Sequence, residues 1–175
     1  MTYSRMELEE APRDAKPLPL DESLRTAIRE VSADYAGRGL DITAALEPFT
    51  ATADAAELRQ ILLNIADNSL KYKVKARAAL RVQLKSGGES CLLSFTDDGP
   101  GVPEEALAKL FDEFYRADSS RSDRTKGSGL GLAIVAKAAK RMGGTVRAER
   151  AEGGGLSIIL TIPKGDDGNA ENSDC

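Results

Sequence analysis

With 175 residues, 41% of them hydrophobic and 30% charged, the chain is sized for one domain that buries about two-thirds of the surface its unfolded form exposes. The 24 basic residues are outnumbered by 28 acidic ones, Trp is absent, and no basic stripe is interleaved with stacking residues, which excludes nucleic acid as the main partner. With no histidine, the chain has no His base, no His metal ligand and no phosphohistidine of its own.

In chain order, Tyr3 to Glu10 can form a helix that Pro12, Pro17 and Pro19 prevent from continuing, so residues 1–17 are expected to be the end of a preceding helix and a linker. Asp21 or Ser23 can cap the next helix, whose apolar positions Leu24, Ala27, Ile28, Val31 and Tyr35 keep helical spacing until Gly37 and Gly39. Leu40, Ile42 and Leu46 form a strand pattern. A short extended piece, Phe49 to Ala53, leads to Asp54, which with Glu57 makes a variant of the capping box that opens a helix over Glu57 to Lys73. Leu80, Val82 and Leu84 alternate with polar residues, Gly87-Gly88 turns the chain, and Cys91, Leu93 and Phe95 alternate on the return. Pro103, Glu104 and Glu105 start a short helix carrying Leu107, Leu110, Phe111 and Phe114. Ala117 to Ser128 lacks periodicity and is expected to be a mobile loop, and Gly129 to Met142 is helical again. A last hairpin pairs Thr145–Arg150 with Leu156–Ile162 across three glycines, and the tail 165–175 is too polar to fold. These elements predict an α+β fold, a two-layer sandwich with helices on one face of a mixed, mostly antiparallel sheet. No apolar run is long enough to cross a bilayer and MTYSRMELEE is no signal peptide, so a cytoplasmic location is expected. Cys91 and Cys175 are expected to be free thiols.

Three stretches carry possible chemistry. On the Glu57–Lys73 helix, opposite the apolar stripe, Gln60, Asn64, Asn68 and Lys71 share a second face. Asparagine is a poor helix former, whereas carboxamide oxygens suit a magnesium ion that takes its negative charge from phosphates; a polar helix face is the plainer alternative. Asp97 ends a strand and is followed by Asp98-Gly99-Pro100-Gly101, either a simple turn or a rigid edge that a ligand approaches closely. Lys126-Gly127-Ser128-Gly129-Leu130-Gly131 runs into a helix start, where free backbone N–H groups favour phosphate; it is neither a Rossmann fingerprint nor a P-loop.

Order and spacing add to these readings. N-x-x-x-N-x-x-K-Y at Asn64 to Tyr72, D-D-G-P-G at Asp97, L-F-D-E-F-Y-R-A-D at Leu110 and G-S-G-L-G-L-A at Gly127 resemble the asparagine, first glycine, phenylalanine and second glycine boxes of sensor histidine kinases. The resemblance spans residues 18–164 and implies the Bergerat fold and an ATP-binding catalytic domain of a two-component kinase. It implies that Asn68 ligates Mg²⁺ while Asn64 assists on the same face, and that Lys71 and Tyr72 contact phosphate and nucleotide. Asp97 would accept the adenine amino N–H, with Gly99 and Gly101 admitting the base. Arg116 would reach the γ-phosphate, Gly127, Gly129 and Gly131 would shape the lid and hold phosphate oxygens, and Lys126, Ser128 and Leu130 would also bind ATP. Asp98 and Lys73 depart from the family pattern at the pocket edge.

The same resemblance separates branches of the superfamily. Gyrase-like and chaperone ATPases carry a glutamate where this chain has Asn64, and an amide is no general base, so little intrinsic hydrolysis is expected. The acceptor histidine would lie on a separate dimerisation domain, with a response regulator downstream and a membrane-anchored parent. The alternatives are a nucleotide-binding interaction module without transfer activity and, less favoured by Asn64, a gyrase-like ATPase.

Overall fold

The computed structural model describes residues 14–115 and 131–165. Strand β1 (Lys16–Pro19) leads into helix α1 (Leu20–Tyr35), a 3₁₀ turn (Ala36–Arg38), β2 (Leu40–Leu46), β3 (Thr50–Ala53) and helix α2 (Ala55–Lys71). The hairpin strands β4 (Ala78–Ser86) and β5 (Ser90–Asp97) follow, then a 3₁₀ helix (Glu104–Lys109), helix α3 (Gly131–Arg141), β6 (Thr145–Arg150) and β7 (Leu156–Pro163). The main sheet has the order β2-β4-β5-β7-β6, parallel only between β2 and β4, while β1 and β3 form a separate antiparallel ladder. The predicted α+β architecture, a mixed and mostly antiparallel sheet with helices on one face, is the one observed.

Alternation builds the core. Leu80, Val82 and Leu84 of β4, Leu93 and Phe95 of β5, and Ile158, Leu160 and Ile162 of β7 point to the helical layer and are buried. Against them pack Leu24, Ala27, Val31 and Tyr35 of α1, Leu58, Ile61, Leu62 and Ile65 of α2, and Val135, Ala138 and Ala139 of α3. Cys91 belongs to this layer, and burial pushes its thiol up to about 11. At pH 8 it is expected to resist iodoacetamide in the native protein and to react once denaturant unfolds it, a contrast that mass spectrometry reads directly.

Four local expectations change. Neither Asp21 nor Ser23 caps α1: the helix opens after Pro19, whose fixed φ suits a helix entry, and the Leu20 N–H donates to Phe49 O at 2.8 Å. Glu57 does not close a capping box; Asp54 alone caps α2, accepting from the Ala56 N–H at 2.9 Å, because the Glu57 carboxylate is taken by Arg141. The segment after Pro103 is 3₁₀ rather than α-helical and ends at Lys109, and Phe114, at φ 65°, lies beyond that helix and is exposed. The Gly129–Met142 helix is seen as α3 from Gly131. The expected Tyr3–Glu10 helix and the Ala117–Ser128 loop lie outside the described residues, as does all of the polar tail beyond Gly165.

Candidate nucleotide site

Helix α2 sets the floor. Its buried stripe, closed by Ser69 whose hydroxyl donates to Ile65 O, fixes the rotation of the helix against the sheet, so Asn64 and Asn68 emerge half-buried on the opposite flank, one turn apart. Each asparagine costs about half a kcal/mol relative to Ala in a helix interior. Gln60 Nε2 donates to Asn64 Oδ1 at 3.4 Å, and Asn64 Nδ2 is buried with no hydrogen-bond partner among the described residues. A buried donor without an acceptor costs about 1–3 kcal/mol, and an oxyanion brought to this flank would supply the acceptor. The Asn68 carboxamide makes no hydrogen bond among the described residues. The start of α3 faces this flank, since a Cβ built on Gly131 lies 4.0 Å from Asn64 Oδ1.

The far end of the site is built by β5 and the β6–β7 turn. Asp97 Oδ1 accepts two backbone N–H groups, from Gly99 at 2.9 Å and from Leu156 at 3.1 Å, while Oδ2 accepts none among the described residues. One oxygen is therefore spent on holding the loop and the other is presented. Gly99 lies against Tyr72, a Cβ there coming 3.6 Å from Tyr72 O, so the end of α2 meets the Asp97 loop. From Asn64 to Tyr72 the helix axis runs about 12 Å, which separates an amide-lined end from a carboxylate-lined one. Lys71 Nζ stands 5.3 Å from the Tyr72 ring centroid.

The turn glycines were legible only as a hairpin turn, yet they back the site. Gly101, at φ 73°, packs so closely on the Gly154 carbonyl that a Cβ would come within 2.3 Å of it, and one on Gly155 would come within 1.9 Å of Asp97 O. Only glycine allows these backbones to meet. Three adjacent glycines at Gly153–Gly155, one more than the turn of a hairpin needs, were the available signal.

The two departures from the family pattern are both engaged with nearby protein groups. Asp98 accepts from the Ala79 N–H at 2.9 Å and from Lys75 Nζ at 3.2 Å. Burial works against its charge, but these donors prevail and hold its carboxyl below the usual carboxylate range. Lys73 donates to Ala76 O at 3.0 Å. Both brace the segment between α2 and β4. Arg116, Lys126, Gly127, Ser128, Gly129 and Leu130 lie outside the described residues. Among those described, no cluster of His, Cys, Asp or Glu could hold a metal, so a cation here would depend on amide oxygen and ligand phosphates. No helix among them is long and apolar enough to cross a membrane.

Residues 53–166 match the family described as histidine kinase-, DNA gyrase B- and HSP90-like ATPase, and the chain belongs to it. Within that family it is an ATP-binding catalytic domain of the kind found in two-component sensor histidine kinases. It is 31% identical over 150 residues to the sensor protein CutS of Streptomyces coelicolor, covering 86% of this chain and 36% of CutS. The mycobacterial sensor histidine kinase MprB superposes with a TM-score of 0.73 at 27% identity, covering 86% of this chain and 99% of that one. Full-length ShkA in complex with AMPPNP has the same TM-score at 28% identity, covering 94% of this chain and 34% of that one. The chain spans 36% of the length of CutS and 31% of that of the histidine-protein kinase BaeS of Escherichia coli.

Proposed function

We propose that this domain binds Mg-ATP and donates the γ-phosphoryl group to a histidine on a separate dimerisation domain, with a response regulator as the downstream acceptor. The observation that carries this reading is the amide pair on α2, with the Asn64 Nδ2 donor buried beside the start of α3 and without a partner among the described residues. Asn64 Nδ2 donates to a phosphate oxygen, Asn68 Oδ1 ligates the cation, and Lys71 and Arg116 offset phosphate charge. Asp97 Oδ2 accepts the adenine amino N–H. When bound, Mg²⁺ would neutralise charge on the phosphates. An amide at position 64 does not take a proton from water, so these residues position and stabilise rather than hydrolyse. With no histidine in the sequence, the chain alone binds ATP without phosphorylating itself.

Calorimetry is expected to find saturable ATP binding that is tighter with Mg²⁺. Asn68→Ala should remove the Mg²⁺ dependence and weaken binding about tenfold or more. Radiolabelled ATP should label an added histidine-bearing dimerisation domain only when this chain is present. Binding without transfer would instead support an interaction module, and vigorous hydrolysis by the chain alone would overturn the reading.

A further inference from the structure

Helix α3 lies antiparallel along α2, and two contacts mark its ends. At one, Gly131 faces Asn64 in the nucleotide site. At the other, two turns before Asn64 on α2, Arg141 Nη1 donates to Glu57 Oε1 at 2.7 Å. This pair is the most enclosed ion pair described, its side chains only 19% and 11% exposed, whereas the others are surface contacts.

The pair is a poor device for stability. Glu57 Oε2 is buried with no hydrogen bond among the described residues, so half of the carboxylate's acceptor capacity is lost on leaving water. Burial is the larger influence on Glu57 and raises its pKa even though the guanidinium beside it opposes the shift. Ionised Glu57 is therefore disfavoured by the fold, which is more stable below the ordinary Glu pKa and loses that contribution as pH rises through the raised one. Two apolar side chains would fill the same space at less cost. What a buried pair with one unmet carboxylate oxygen does supply is register, since a guanidinium must meet a carboxylate at one place, whereas Ala133, Ala138 and Ala139, three of the four side chains that α3 buries, offer little relief to fix it.

We infer that Glu57 and Arg141 are positioning residues for the phosphate end of the nucleotide site: by locking the register of α3 on α2 they hold the start of α3, at Gly131, against Asn64. This inference rests on the reading of Asn64 as a phosphate contact. The bridge lies on the far side of Asn64 from Asp97, so it governs the phosphate end and leaves the adenine end alone.

The test is the double variant Glu57→Leu/Arg141→Met, with Kd for ATP and for adenosine measured by calorimetry well below the melting temperature, beside thermal unfolding. The expected result is a melting temperature equal to or above that of the parent, adenosine affinity unchanged, and ATP affinity reduced about three- to tenfold. Glu57→Gln, which keeps an acceptor for the guanidinium, should restore most of the loss. Unchanged ATP affinity in the double variant would overturn the inference, as would parallel losses for ATP and adenosine, which mark a general structural role. Should the double variant fail to fold, Glu57→Gln and Arg141→Lys carry the test: ATP affinity falling in Arg141→Lys and held in Glu57→Gln supports the inference, and no change in either overturns it. Failure of the nucleotide reading itself appears separately, as a parent chain that binds neither ligand.

Discussion

Replacing Asp97 by Asn is expected to weaken ATP binding roughly a hundredfold while leaving the fold intact. The asymmetry of the carboxylate makes this substitution informative. Oδ1 already accepts the N–H groups of Gly99 and Leu156, and those donors force an asparagine to keep its oxygen on that side. The amide nitrogen then takes the place of Oδ2 and sets N–H against the adenine amino group, two donors facing with nothing to accept them. Asp97→Ala should also abolish binding, but it strands two backbone donors and so confounds recognition with loop collapse. Calorimetry on the Asn variant, checked against an unchanged unfolding midpoint, separates the two. ATP binding by Asp97→Asn equal to the parent would mean that Oδ2 does not read the base.

The second large effect concerns a residue with no side chain of its own. Gly155→Ala is expected to lower stability by about 2–3 kcal/mol and ATP affinity with it. Its Cβ would sit 1.9 Å from Asp97 O and 2.8 Å from Asp97 C, and a backbone cannot rotate away as the end of a lysine can. The strand end must shift, taking with it the Leu156 N–H that orients the carboxylate. Gly37→Ala is the control, because a Cβ there meets nothing within 4 Å; its stability should hold within about 1 kcal/mol. Urea unfolding of both variants measures the difference, and equal midpoints would show that the β6–β7 turn does not brace Asp97.

Local pattern determined much of this domain. A period of two in Leu80–Leu84 and Cys91–Phe95, and the helical stripe Leu58, Ile61, Leu62, Ile65, Ala66, depend on neighbours a few residues away, so the strands, the helix and the flank carrying Asn64 and Asn68 follow from the chain alone. The Asp97 strand end was legible for the same reason, whereas the four boxes were legible through their resemblance to a known family. What only the tertiary structure decided involves partners distant in sequence. Glu57 satisfies a capping pattern over three residues, yet its carboxylate goes to Arg141 on another helix, because α3 brings a cation to it that Asp54 does not outweigh. Asp98 meets the Ala79 N–H and Lys75, and Lys73 meets Ala76 O, partners that the packed fold brings within reach. The pairing of β1 with β3 outside the main sheet, and the three-glycine turn that seats Asp97, depend on how closely two backbones can approach, and that distance is set by the packed fold rather than by any local run of residues.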